Sequence, residues 1–104
     1  MFEMFRDMEQ KQRELQEKLA EIIIEHSSDE KDIVVKINAN KEIRDIVVSP
    51  GLLTAENTEM LQDMLVVTIN EAIRMAESKA MEEMQNQLGD ILPDMGSFGS
   101  PFTA

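Results

Sequence analysis

The residues from Ile43 to Met64 constrain the fold most, because a strand pattern changes into a helix pattern across the single corner Ser49-Pro50-Gly51. Before the corner, Ile46 and Val48 fall on one face at a period of two residues. After it, apolar residues recur at helical spacing, and Asn57 is a candidate helix cap. A strand that leads directly into a long helix predicts an α+β fold organised around this corner.

Three short antiparallel strands are predicted up to this corner, joined by two polar turns. The β-branched run Ile22–Ile24 ends the preceding helix, because β-branched side chains favour extended backbone. In the second strand, Ile33, Val35 and Ile37 occupy alternate positions. Either asparagine of the loop 38–41 is expected to adopt the left-handed conformation. The predicted strands span residues 22–27, 33–38 and 43–48.

The first helix is predicted to be amphipathic and to end near Glu21. Its large residues recur at alternating steps of four and three, which indicates a coiled-coil-like seam. Its polar face carries acidic residues four positions before basic ones, a spacing that stabilises exposed helices. The seam consists of Met1, Phe5, Met8, Gln12, Leu15, Leu19 and Ile22, and the charge pairs are Asp7 with Lys11, Glu9 with Arg13 and Glu14 with Lys18.

The second helix is predicted from Asn57 to about Leu88, with Gly89 as its end. Helix, three-stranded antiparallel meander and long helix then form one α+β domain over residues 1–90. Residues 91–104 are rich in Gly, Pro and Ser, and we expect a flexible tail there.

The long helix also predicts a homodimer. Between Met64 and Ile69 nearly its whole circumference is apolar, and a sheet of three strands covers only one side of a helix. A chain of 104 residues with 42% apolar content builds only a modest core, so a second copy is the economical cover for the other side. The candidate interface residues are Leu61, Met64, Leu65, Thr68, Ile69 and Ala72.

The formal charge of −11 argues against a protein that lays one broad basic face on phosphate. The excess is uneven, because residues 1–25 carry a net −3, residues 26–53 carry −1 and residues 54–104 carry −7. Most of the excess lies in residues 54–104, so the first half of the chain is nearly balanced and can still present a local cationic stripe. A fully salt-bridged, solvated helix face is the competing interpretation of the same charges.

Catalytic, metal and membrane roles find little support in the sequence. The chain has no cysteine, which fits a reducing cytoplasm, and His26 is the only histidine, expected to be exposed at a strand end. No nucleophile, base and pocket constellation is visible, and no apolar run is long enough for a membrane span. We therefore expect a soluble protein that is not an enzyme and binds no metal.

Several short motifs, in this order and spacing, resemble the YbaB/EbfC family of small bacterial nucleoid-associated, DNA-binding proteins. The resemblance covers most of the chain, and its separate motifs gain specificity only in combination. They are Leu15-Gln16 with Leu19-Ala20, Val35-Lys36-Ile37-Asn38, Ser49-Pro50-Gly51-Leu52-Leu53, Glu59-Met60-Leu61-Gln62-Asp63 and Asn70-Glu71-Ala72.

The resemblance implies an intertwined homodimer whose helical arms project like tweezers and grip duplex DNA with little sequence specificity. It also implies residence in the cytoplasm at the nucleoid, no catalysis and no cofactor. The candidate DNA contacts are Arg6, Lys11, Arg13 and Lys18 on the first helix and Arg74 on the second.

Four positions depart from the family pattern and dilute its basic character. Asp45 and Met75 fall where basic residues are common, and Met81 and Glu83 lie on a helix end that often carries lysine in the family. The alternative function is therefore a dimeric acidic interaction module of the same fold, which has lost DNA binding and recognises a basic protein partner through its long helix.

Overall fold

The computed structural model describes residues 2–91, which form a helix, three strands and a long helix in the predicted order. Two single-turn 3₁₀ helices, Pro50–Leu52 and Ala55–Asn57, bridge the corner between the last strand and the long helix. The predicted α+β fold class is confirmed. The principal elements are α1 (Phe2–Glu21), β1 (Ile23–Ser27), β2 (Ile33–Asn38), β3 (Ile43–Val48) and α2 (Thr58–Ile91).

The three strands form one antiparallel sheet in the order β1-β2-β3, so β2 is its central strand. Val35 lies opposite His26 on one side and Ile46 on the other, which puts all three side chains on the same face. The β2–β3 register shifts by one residue between Lys36 and Ile37. This shift is a β-bulge that leaves Arg44 without a partner in the ladder.

The core lies between β2 and α2. Ile33, Val35 and Ile37 are fully buried, as their alternation predicts. They belong to one cluster with Ala72 and Ala76, which stand one helical turn apart and are also fully buried. Methyl side chains let the helix axis approach the sheet closely. Larger apolar residues pack around this contact and stay half-buried, namely Ile24, Val48, Leu61, Met64, Leu65, Ile69 and Ile73.

Both β-hairpins turn through a lysine in the left-handed conformation, with φ of 62° at Lys31 and 66° at Lys41. Each of these residues donates its backbone N–H to the carbonyl three positions earlier, at 2.8 Å to Ser28 and 3.0 Å to Asn38. The prediction that an asparagine takes this role in the second loop is wrong. Asn38 instead ends β2, where its side-chain oxygen is already occupied by two backbone N–H groups.

The Pro-Gly corner is tied to the start of α2 by side-chain hydrogen bonds. Asn57 directly precedes the helix, and its side-chain amide donates to the carbonyl oxygen of Gly51 at 3.2 Å. The hydroxyl of Thr58 donates to the carbonyl oxygen of Ala55 at 3.0 Å. These bonds hold the first turn of α2 against the end of the sheet.

The prediction that Gly89 ends the second helix is wrong, because α2 continues to Ile91. One glycine inside a helix costs only about 1 kcal/mol, which a helix of 34 residues tolerates. Pro93 is the stronger stop signal, since proline disfavours helical backbone at the residue before it. The tail predicted over 91–104 lies outside the described residues except for Ile91, the last residue of α2.

We predict that Asn38→Ala destabilises the protein by about 1–3 kcal/mol. Asn38 is fully buried, and its side-chain oxygen accepts from the backbone N–H groups of Asn40 at 3.0 Å and Glu42 at 2.9 Å. The substitution leaves both donors unpaired. Urea unfolding of the variant measures the loss, with the exposed Asn70→Ala as the matched control, expected to change stability by less than about 0.5 kcal/mol. Equal stability of the two variants would contradict the assigned role of Asn38.

Candidate nucleic-acid interface

Helix α1 is anchored only at its C-terminal end, and every residue from Glu3 to Glu14 is exposed. Leu19 is buried, and its carbonyl oxygen accepts the backbone N–H of Ala39 at 3.1 Å. The side-chain amide of Asn40 donates to the carbonyl oxygen of Gln16 at 2.9 Å. Among the residues whose exposure is described, the predicted apolar seam packs within the protomer only over the last turns of α1, and residues 3–14 present both faces of the helix to solvent.

Three of the predicted DNA-contacting cations, Arg6, Lys11 and Arg13, lie on this exposed part of α1. The guanidinium of Arg13 is 4.0 Å from the carboxylate of Glu9, and both side chains are about 70% exposed. Glu9 with Arg13 is the only one of the three predicted i,i+4 pairs that lies within ion-pair distance among the described residues. An exposed pair at this distance is weak, which leaves these cations available to an external anion.

The fourth predicted cation of α1, Lys18, is paired with an acid of the other helix. Its Nζ lies 3.0 Å from Oε2 of Glu83 on α2, whereas the sequence predicted a pair with Glu14. The second oxygen of Glu83 lies 3.7 Å from Nζ of Lys79. The pairing with Glu83 prevails because the C-terminal end of α1 packs across α2, a contact between distant positions that helical spacing does not reveal.

The side chain of Glu83 is only 12% exposed, the least of the acidic partners in the described ion pairs. The hydrogen bond from Lys18 is the main cause that holds the pKa of this carboxyl below its ordinary value of 4.5. The positive charges of Lys18 and Lys79 act in the same direction, and desolvation opposes them. Glu83 is therefore kept as a carboxylate that joins the two helices.

Arg74, the predicted cation of α2, is exposed and lines an open surface pocket of about 630 Å³. The same pocket includes Lys79, which links it to Glu83 and through Glu83 to Lys18. Sequence reasoning missed Lys79, because its closeness to α1 depends on the packing of the two helices. The structure thus brings Arg74, Lys79 and Lys18 into one band, with carboxylates between them.

His26 lies against the same pocket, and the prediction of an exposed strand-end histidine is wrong. Its side chain is 21% exposed, and its Nε2 lies 2.7 Å from Oε2 of Glu71 on α2. The register explains the difference, since His26 pairs with the buried Val35 and so faces α2. No group of three or more side chains suited to metal binding occurs within residues 2–91.

The six predicted interface residues differ in how much of their surface is exposed to solvent within one protomer. Thr68 and Ala72 are buried against the sheet, whereas Leu61, Met64, Leu65 and Ile69 remain half-buried. The neighbouring Val66 and Val67 are 60% and 55% exposed. Apolar surface therefore remains on α2 outside its contact with the sheet. The dimer interface itself stays a prediction.

The sequence model of the YbaB/EbfC DNA-binding family matches residues 1–91. A nucleoid-associated protein of Chloroflexus aurantiacus is 36% identical over 91 residues, which cover 88% of this chain and 91% of that protein. A nucleoid-associated protein of Bradyrhizobium diazoefficiens is 32% identical over 92 residues, which cover 88% and 87% of the two chains.

A solved structure has the same fold. The crystal structure of an uncharacterized Helicobacter pylori protein, HP0035, superposes with a TM-score of 0.72 over 83% of this chain and 90% of that one. At 24% identity this similarity supports the fold alone. Among the described residues, no helix has the length and apolar character to cross a membrane.

We predict that the stabilisation contributed by Glu83 is lost in acid. A carboxyl whose pKa is lower in the folded than in the unfolded state stabilises the fold above its unfolded pKa, and this contribution disappears as the pH falls. Unfolding free energies of the wild type and Glu83→Gln should therefore differ by a constant amount above pH 4.5 and converge below it. A difference that stays the same at pH 3.5 and pH 7 would contradict the assignment.

Proposed function

Because this chain belongs to the YbaB/EbfC DNA-binding family, we propose that it is a nucleoid-associated protein that binds duplex DNA as a homodimer with little sequence specificity. The observation that carries the proposal is that three cations, Arg6, Lys11 and Arg13, are exposed on α1, although acidic residues stand between them. Lys18 and Arg74 extend the proposed contact surface toward α2. These residues bind phosphate oxygens, and base edges are not read.

The homodimer is supported by the apolar surface that α2 retains. Val66 and Val67 are more than half exposed in one protomer, and half-buried Leu61, Leu65 and Ile69 lie beside them. Burying such a surface against a second copy removes apolar area from water, at about 25 cal/mol for each Å². Two copies also double the number of cations that one DNA segment meets.

The charge of −11 shapes the binding that we expect. At physiological ionic strength, charges farther apart than about 8 Å are largely screened, so the cations of α1 act locally on phosphate. At low ionic strength the acidic remainder of the protein repels DNA over a longer range. Binding of modest affinity at about 50 mM salt, weakening steeply as salt is raised, is the expected behaviour.

We predict that charge reversal at Arg6, Lys11 and Arg13 together abolishes DNA binding, because it removes the exposed cations of α1. Fluorescence anisotropy with a duplex of about 30 base pairs, spanning several helical turns of DNA, measures the effect between 50 and about 200 mM salt. The matched control reverses Lys31, Lys36 and Arg44, three exposed cations outside α1 and α2, and so carries the same total charge.

The control variant should retain DNA binding to within about tenfold, equivalent to about 1.4 kcal/mol, because its α1 cations are intact. Equal loss in the two variants would attribute binding to total charge and contradict a specific role of α1. No binding of the wild-type protein at 50 mM salt and micromolar concentration would refute the proposed function.

We predict that Val66→Asp raises the dimer dissociation constant by about tenfold or more without unfolding the protomer. Val66 is 60% exposed in the protomer, so a charge there is costly only when a second copy covers it. Sedimentation velocity measures the monomer–dimer equilibrium, with Ser78→Asp on the exposed surface of α2 as the control.

Leu65→Asp should behave differently, because Leu65 packs against the core of its own protomer. A charge at that position is expected to unfold the chain, which circular dichroism detects. If Val66→Asp dimerises as tightly as the wild type, the exposed surface of α2 around Val66 is not part of the dimer interface.

A groove favours the second candidate function, recognition of a basic protein partner. The turn between β1 and β2 and the first half of α2 enclose about 510 Å³ of open space. Its lining combines apolar residues with acids and includes no lysine or arginine. A DNA titration without response, together with retention of only basic proteins in a pull-down, would select this function. The lining includes Leu52, Met60, Val67, Asp29, Glu30, Asp32, Asp63 and Glu71.

A further inference from the structure

The two helices meet through a small contact near the C-terminal end of α1. Among the described residues, the ion pair of Lys18 with Glu83 is the only one that joins α1 to α2. Leu15 lies near Asn86 and Gln87, around a small surface pocket. The angle between α1 and the rest of the protein therefore depends on very few side chains. The ion pair of Lys18 with Glu83 is one of these contacts.

We propose that Glu83 is a positioning residue that holds α1 against α2 in the free protein and competes with DNA phosphate for Lys18 and Lys79. The competition with phosphate rests on the proposed DNA binding. The positioning of α1 by Glu83 concerns the free protein alone. When phosphate oxygens take over the two lysines, α1 loses its charged link to α2 and turns away from it.

The geometry of Glu83 suits this role better than that of its neighbour Glu82. Glu83 uses one oxygen for Lys18 at 3.0 Å and the other for Lys79 at 3.7 Å, and its side chain is 12% exposed. Glu82 lies 3.5 Å from Lys79 on the same helix, is 60% exposed and has no ion pair with α1. A carboxylate shielded from water interacts more strongly with its cations than an exposed one does.

Competition with phosphate is possible because the lysines remain accessible. The side chains of Lys18 and Lys79 are 63% and 36% exposed, so an incoming anion reaches both ammonium groups. Each ammonium has three N–H donors and binds a carboxylate or a phosphate oxygen with similar geometry. Phosphate binds these lysines only after the carboxylate of Glu83 is displaced, so the cost of breaking the ion pair lowers the affinity for DNA.

The chain contains no cysteine, which makes the position of α1 directly measurable. Cysteines introduced at the exposed positions Gln10 on α1 and Asn70 on α2 carry spin labels for distance measurement by electron spin resonance. Labelled protein is diluted with an excess of unlabelled protein, so that any dimer contains at most one labelled chain. The measurement uses the full chain without DNA, and circular dichroism shows that each variant is folded.

The test compares Glu83→Gln with Glu82→Gln, which makes the same change of charge one residue away. In Glu83→Gln we expect a broader distribution of distances between the labels, while Glu82→Gln retains the wild-type distribution. The double variant Lys18→Glu with Glu83→Lys exchanges the two charges and restores an ion pair. It should narrow the distribution of label-to-label distances again. Equal distributions in Glu83→Gln and Glu82→Gln would overturn the positioning role.

DNA binding supplies the second readout. Glu83→Gln should bind DNA about two- to fivefold more tightly than Glu82→Gln at the same salt concentration, because no carboxylate has to be displaced from Lys18 and Lys79 before phosphate binds. Equal affinities of the two variants would overturn the competition with phosphate. Absence of DNA binding by the wild type would refute the proposed function instead, and the distance measurement would still test the positioning role.

Discussion

The close packing of α2 on the central strand is the contact on which the rest of the structure depends. Ala72 and Ala76 present only methyl groups to Ile33, Val35 and Ile37, which lets the helix lie near the sheet. A helix of 34 residues is about 51 Å long, whereas a strand of six residues spans about 20 Å. Most of α2 therefore extends beyond its sheet, and this overhang provides the surface that the C-terminal end of α1 contacts.

For the proposed DNA binding, the positions of the charged side chains matter more than the net charge of the chain. Arg6 and Lys11 stand on the part of α1 that projects from the protomer, whereas Lys18 is engaged by Glu83. The same type of side chain is thus a candidate DNA contact at one position and part of an internal link at another. A net charge computed over the chain does not distinguish these situations, although each has its own dependence on salt and pH.

The order of elements, their approximate bounds and the inward face of β2 followed from hydrophobic periodicity, because a buried surface imposes its period on the sequence. Features set by contacts between distant residues did not. Glu83 with Lys18 and Glu71 with His26 join positions on different elements, which no local spacing reveals. The left-handed Lys31 and Lys41 were also unpredictable, since lysine has no intrinsic preference for that conformation.

The bulge at Arg44 alters the free edge of the sheet. β3 is an edge strand with exposed Ile43, Ile46 and Val47, a combination that invites strand-by-strand addition of further chains into open-ended polymers. The register shift interrupts the ladder and adds local twist, so the edge does not offer the long, flat template that such growth requires. The bulge therefore protects this edge of the sheet against open-ended strand addition.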